Sequence, residues 1–423
     1  MLSRWGWKKL RIPHKSPLSR QGGYRFYRAL AIESSCDDSC VALLESDTDS
    51  KITIVDHSKS TLSSSAVGGI IPTEAHAFHQ YKLANLVSEF LTKNAIDSKN
   101  PPDIIMCTRG PGLVGSLAAG LQLAKGLSIA WGKPLLGVHH MLGHIMMAVH
   151  DSKSLQFPFL SLLASGGHTM LVLLRSAVDH EIIIDTMDVA VGVSLDKCGR
   201  ELGIRGNMIG KELDRYVQMI SPQEKIEFDK WDISKRKNNP FDFQLQLPLK
   251  RPDLPLVPDT IQFAFAGFQS SLQHVRKGKG PSLENDNNTD KKFIAYRLQE
   301  LVFDHIIDRL NVALKKHGTN SKEYALCDSK FSGINDLVVS GGVAANSRLR
   351  EKLNTQLKSE RYLGNNFNIH IPDVALCTDN AVMIGIAGIE FLKASNLVND
   401  LSILPIPKWP LNDIINVDGY ISR

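Results

Sequence analysis

One pattern recurs along this chain and narrows its fold more than any other feature. A wholly apolar run of strand length meets a short tip of small, hydroxyl or acidic residues, and then turns back as a second strand or goes on as a helix. Ala29–Glu33 leads into Ser34-Ser-Cys-Asp-Asp-Ser39 and returns through Cys40–Glu45, so that a hairpin tip carries hydroxyls and the paired acids Asp37 and Asp38. Phe157–Ala164 leads into Ser165-Gly-Gly-His168 and returns through Thr169–Leu174. Asp336–Ser340 leads into Gly341-Gly342 and a helix over Val343–Lys352, and Asp103–Thr108 runs into Arg109-Gly-Pro-Gly112 and a small-residue helix to about Trp131. Short apolar runs bounded by turn residues read as buried strands, and glycine tips after strands leave backbone N–H groups free to face an anion. Any one tip is equally well an ordinary turn. Together they point to an α/β fold that holds a nucleotide between two similar lobes.

Pro134–Val138 is another short strand, and it delivers the chain into His140-Met-Leu-Gly-His144. Read as a helix, this places two imidazoles one turn apart on one face, half of a site for a divalent metal such as zinc or iron. Asp379 stands just ahead of a helix over Ala381–Phe391. It reads either as a cap for that helix or as the carboxylate completing a two-histidine, one-carboxylate set with open positions. Residues 51–60 read as a further strand and Glu74–Thr92 as a helix. Insertions are expected near 221–260, including Lys235-Arg-Lys237 and the proline-rich Leu247–Pro258, and a linker over 277–292.

Net charge is +5, but eight positive residues lie in 1–28 with no acid before Glu33, and removing them leaves −3. The leader is basic, serine-containing and without an unbroken apolar centre, which is the composition of a mitochondrial transit peptide. The remaining body carries no global electrostatic footprint for nucleic acid. No run approaches the roughly 18 apolar residues of a membrane-spanning helix, so no membrane partner is expected. The six cysteines show no CxxC pairing and fit a reducing compartment.

Glu33-Ser-Ser-Cys-Asp-Asp38, His140-Met-Leu-Gly-His144, Ser165-Gly-Gly-His-Thr169, Phe263-Ala-Phe-Ala-Gly267, Ser340-Gly-Gly-Val-Ala-Ala-Asn346 and Cys377-Thr-Asp-Asn380 fall in this order over about residues 29–391. In this the chain resembles the tRNA adenosine threonylcarbamoyltransferases, and with its basic leader it resembles their mitochondrial branch. The resemblance implies a two-lobed fold like that of actin, Hsp70 and hexokinase, with a nucleotide cleft. Its expected parts are a transit peptide at 1–28, a first lobe of 29–150 plus 380–423, and a second lobe of 151–379. It implies one divalent metal, zinc or iron, on His140, His144 and Asp379. Substrate contacts carried over are Leu163, Ala164, Ser165, Gly166, Gly167, Asp196, Gly210, Asp214, Gly342 and Asn346, with Asp37 and Asp38 as candidate proton acceptors. The chain departs from the family pattern at Leu142, Val193, Thr73 and Ala77, where charged residues are usual, and around Gly210, where the glycine-proline run is degraded. Those lost charges fit a homodimer working without companion subunits.

The implied reaction moves a threonylcarbamoyl group from threonylcarbamoyl-adenylate, supplied by a partner enzyme, to the N6 amine of adenosine 37 in mitochondrial-matrix tRNAs reading codons that start with A. A metalloprotease is the first alternative, but a zincin helix needs a glutamate base where Met141 stands. An actin-fold phosphotransferase is the second, since fold does not fix function.

Overall fold

The computed structural model describes residues 27–47, 51–63, 69–152, 155–206, 208–234, 243–249, 261–274, 288–319, 328–364, 367–371 and 378–423. In chain order the first elements are β1 (Tyr27–Glu33), β2 (Asp38–Ser46), β3 (Ile52–Thr61), α1 (Pro72–Lys93), β4 (Ile104–Gly110), α2 (Val114–Trp131), β5 (Leu135–His139) and α3 (His140–Asp151). There follow β6 (Phe159–Ala164), β7 (Thr169–Leu174), β8 (His180–Thr186), α4 (Val191–Glu201), α5 (Ile209–Gln218), α6 (Pro222–Asp229), β9 (Gln262–Phe263), α7 (Ala266–His274) and α8 (Thr289–His317). The chain ends with β10 (Asp336–Ser340), α9 (Ser347–Gln356), α10 (Ser359–Leu363), β11 (Asn368–His370), α11 (Ala381–Ser395), β12 (Leu397–Asn399) and β13 (Tyr420–Ser422). Among the described residues no helix is long and apolar enough to cross a membrane.

These strands form two sheets, ordered β13-β12-β5-β4-β1-β2-β3 and β11-β10-β6-β7-β8-β9. In the first, β1, β2 and β3 form an antiparallel meander, and β4 and β5 add in parallel on the free edge of β1. In the second, β6, β7 and β8 form the meander, and β10 and β11 add in parallel on the free edge of β6. The same connectivity is therefore built twice.

Side chains alternate across a strand, and here both faces are buried. Leu30 and Ile32 of β1 enter a core with Leu83, Val87 and Phe90 of α1 and Leu121 and Ala124 of α2. Ala29 and Ala31 face the other way, into a core that runs through Met141, Ile145 and Met146 of α3 and Met383, Ile384 and Ala387 of α11 to Leu163, Val172 and Val338 of the second sheet. The outer face of the second sheet packs Leu160 and Leu162 over the long helix α8 through Phe293, Val302 and Ile306. α11 is apolar on every side, as a helix buried all round must be. Its glycines admit the first sheet: a Cβ at Gly385 would lie 2.2 Å from Leu44 Cδ1, and one at Gly388 2.4 Å from Met106 Sδ.

Two expectations need correction. The linker expected through Lys292 stops at Asn288, whose side chain accepts the Asp290 N–H and caps α8, so that 289–292 are its first turn. The helix expected from Val343 is broken: a 3-10 turn spans Gly342–Ala345, and α9 begins after Asn346, whose side chain competes for the backbone as an N-cap. Residues 1–26 of the leader, the basic run 235–237 and residues 250–260 and 275–287 lie outside the described residues.

Because Gly385 sits against a fully packed strand, Gly385→Ala should lower stability by about 1–3 kcal/mol, the usual cost of overpacking. Gly126→Ala, on the exposed face of α2 with no atom within 4 Å of the new Cβ, should raise it by about 0.5–1 kcal/mol. Urea unfolding midpoints moving in opposite directions would verify this pair.

Candidate metal centre and substrate cleft

Glu33, Ser35, His140 and Asp379 stand at the carboxyl end of β1 and the amino ends of α3 and α11. His139 caps α3: its Nδ1 accepts the Met141 N–H at 3.2 Å, while Nε2 lies 2.9 Å from the Trp409 carbonyl and donates to it. Burial pushes this imidazole down to about 3, so it stays neutral in that tautomer. His140 and His144 then follow on one face, with ring centroids 4.8 Å apart.

The Nε2 atoms of His140 and His144 lie 3.6 and 3.1 Å from Asp379 Oδ1. One ligand atom from each of the three residues lies within 4.8 Å of the others. Lys59 holds the backbone here: its Nζ donates to the Asp379 carbonyl at 2.9 Å and pairs with Asp38 at 2.6 Å. Behind the histidines, Glu33 Oε2 lies 3.2 Å from His140 Nδ1.

The charges argue for a cation. Burial alone would raise Asp379 and Glu33, but the facing imidazoles outweigh it and hold both below the usual carboxylate range. Burial alone would lower His140, and the carboxylates of Glu33 and Asp379 raise it to about 9. Neither carboxylate has a lysine or arginine ion pair among the described residues. Two imidazole nitrogens and one carboxylate oxygen converging on one point fit a borderline divalent metal.

The paired acids of the first tip differ. Asp38 is committed, accepting from Lys59 Nζ and from the Thr61 hydroxyl. Asp37 is only half-buried, and burial, then Asp38 and Asp379, push it up to about 6. The Arg109–Gly112 turn, which the strand-to-helix pattern offered as an anion cradle, spends its N–H groups internally: Gly112 N donates to the Pro407 carbonyl and Leu113 N to the Ser35 carbonyl.

In the second sheet Ser165 Oγ accepts the His168 N–H at 3.0 Å and closes the tip, leaving Gly166 and Gly167 exposed with open space about them. Leu163 and Ala164 are buried strand residues beneath it. Gly341, at φ 94°, presses against this tip, since a Cβ there would lie 2.6 Å from the Ala164 carbonyl oxygen. Gly342 beside it is exposed. His168 is pushed down to about 4 by burial and by the charges of His140 and His144.

Other expected contacts carry structural duties. Asp196 Oδ1 accepts the Gly210 N–H at 2.6 Å, so these two do meet. Asp214 is bound by Gln218 and by Gln299, and Asn346 caps α9. The sequence reading assigned no role to Glu33, Lys59 or Asp188, whose carboxylate accepts the N–H groups of Phe265 and Ala266 at the head of α7. A carboxylate ending an otherwise apolar strand was the available signal for Glu33; Lys59 and Asp188 have none without the fold.

The profile of the family described as TsaD, tRNA N6-adenosine threonylcarbamoyltransferase, matches residues 53–386. The mitochondrial tRNA N6-adenosine threonylcarbamoyltransferase of Schizosaccharomyces pombe is 36% identical over 95% of this chain and 90% of its own length. That of Staphylococcus saprophyticus is 32% identical over 86% of this chain and 91% of its own. Among solved structures, HypF from T. kodakarensis aligns over 88% of this chain and 48% of its own at 13% identity, with a TM-score of 0.41, too low to bear on the fold. With a family profile spanning most of the chain and relatives similar over nearly all of it, this chain belongs to the tRNA N6-adenosine threonylcarbamoyltransferase family and is a transferase.

Proposed function

We propose that this chain transfers the threonylcarbamoyl group of threonylcarbamoyl-adenylate to the N6 amine of adenosine 37 in mitochondrial tRNAs reading codons that start with A, working in the matrix as a homodimer. A separate enzyme makes the adenylate from threonine, bicarbonate and ATP. The observation that carries the reading is the convergence of His140, His144 and Asp379 on one point. The duplicated sheet connectivity supports two actin-like lobes, 29–150 plus 380–423 and 151–379, with the adenylate between them.

His140, His144 and Asp379 would hold one zinc or iron ion, which supplies Lewis acidity and charge neutralisation at the adenylate's oxygens. The chain's own residues do the rest. The exposed backbone of Gly166, on a tip closed by Ser165 Oγ accepting the N–H groups of Gly167 and His168, would receive phosphate or carbamoyl oxygen without reorganising. Gly342 and Asn346 flank the adenosine side, and the Asp196–Gly210 pair shapes the neighbouring wall. The amine forms its bond to the carbamoyl carbon, the carbon–oxygen bond to phosphate breaks, and AMP leaves. Asp37 takes the amine proton, because Asp38 is occupied by Lys59 and Thr61.

Purified protein supplied with tRNA and an adenylate-forming enzyme should yield threonylcarbamoyladenosine by nucleoside mass spectrometry; ADP formed on a small acceptor would favour a phosphotransferase instead. His140→Ala should remove bound metal and activity together while thermal melting stays cooperative, and activity persisting without metal would refute the ligand assignment. Since Asp37 accepts a proton only when ionised, kcat/KM should fall as pH drops below about 6. Asp37→Asn should lower kcat/KM about 100-fold and remove that limb, whereas a retained limb would exclude Asp37.

A further inference from the structure

Glu33 is fully buried at the end of β1, an interior strand of its sheet. Its carboxylate makes three directional contacts. Oε1 accepts the Ser35 N–H at 2.6 Å, Oε2 accepts the Thr108 hydroxyl, and Oε2 lies 3.2 Å from His140 Nδ1. Ser35 Oγ also lies 3.2 Å from that nitrogen. A carboxylate taken out of water without a lysine or arginine is costly. A glutamine has a single acceptor oxygen: kept on the Ser35 N–H, it would turn an NH2 donor toward Thr108 and His140 Nδ1, so what the carboxylate adds is a second acceptor and a charge placed against one imidazole.

That imidazole is not equivalent to its neighbour. His144 Nδ1 is buried with no hydrogen-bond partner among the described residues, whereas His140 Nδ1 faces both Glu33 and Ser35. The first histidine is therefore anchored from behind, and the second is held at its front by Asp379 and by packing.

We propose that Glu33 is the positioning residue of the metal centre: it holds the His140 proton on Nδ1, aims the Nε2 lone pair toward Asp379, and strengthens His140 as the dominant nitrogen donor. The proposal rests on the metal reading above. Hydrogen bonding of a carboxylate to the far nitrogen of a ligating imidazole fixes ring and tautomer and raises ligand basicity. Thr108 on β4 and the Ser35 backbone fix the carboxylate in turn, so the chain of restraint runs from the centre of the first sheet to the ligand.

The test uses the full-length protein, stripped of metal, with zinc affinity measured by competition against a chromophoric chelator and coordination read from the visible spectrum of the cobalt-substituted form. Glu33→Gln, which keeps shape and a neutral acceptor, should bind zinc about 10–100-fold more weakly and shift the cobalt bands. In zinc-loaded wild type carrying 15N-histidine, His140 should show a strongly downfield Nδ1 proton, which moves upfield in Glu33→Gln; the wild-type measurement stands alone if that variant fails to fold. Wild-type zinc affinity with unchanged cobalt bands in Glu33→Gln, or a His140 proton found on Nε2, would overturn the proposal. His144→Ala separates the two claims: if it binds zinc as tightly as wild type, the ligand set itself is wrong and the proposal falls with it.

Discussion

The contact between α3 and α11 is the constraint on which the rest of the molecule depends. Gly143 permits it, since a Cβ there would meet Met383 Cγ at 3.0 Å and Ile384 Cδ1 at 3.2 Å. α3 carries both histidines and α11 follows directly from Asp379, so the register of this one packing sets the distances among the three donors. A helix rises about 1.5 Å per residue, and a slip of a single residue would move a donor by most of a metal–ligand bond length. The site is thus a property of the buried core, and α3 is pinned at its far end too, where Ser152 Oγ lies 2.9 Å from His370 of β11 and His370 lies 2.6 Å from Asp336 of β10.

Fixing donors this way concentrates negative charge where water is scarce. Glu33 and Asp379 face two imidazoles, and Lys59 sits on the opposite side, tied to Asp38 and to the Asp379 carbonyl rather than to its carboxylate. Lysine therefore holds the Asp379 backbone, and its charge adds to that of the histidines in lowering the carboxylate. The amino ends of two helices add partial positive charge at the same point, which relieves the carboxylates without competing for the imidazole nitrogens.

Much of this was legible in the sequence because the signals were local. Strand tips at Ser34–Ser39 and Ser165–His168, the HxxxH spacing and the apolar helix after Asn380 follow from periodicity and turn chemistry. What escaped was non-local. Asp38 and Asp37 are indistinguishable as text, and only the strand β3, which brings Lys59 and Thr61 alongside, separates a committed acid from an available one. The Arg109–Gly112 turn has the composition of an anion loop, yet the C-terminal segment at Ile406 and Pro407 lies across it and takes up its backbone groups. Asn346 in a run of helix formers gave no sign that it would stop one turn and start the next.

The two meanders share connectivity but not tip chemistry, and the difference gives the cleft a direction. The first tip gathers Glu33, Asp37 and Asp38 and so favours positive charge. The second has no carboxylate: it offers exposed glycine backbone, a serine hydroxyl engaged in closing the turn, and His168, which burial and the neighbouring histidines keep neutral. A neutral, donor-rich tip favours an anion. A ligand joining phosphate to an electrophilic carbonyl would match both tips at once. The asymmetry of charge between two copies of one topology, more than the possible metal set, is therefore what favours the proposed adenylate chemistry.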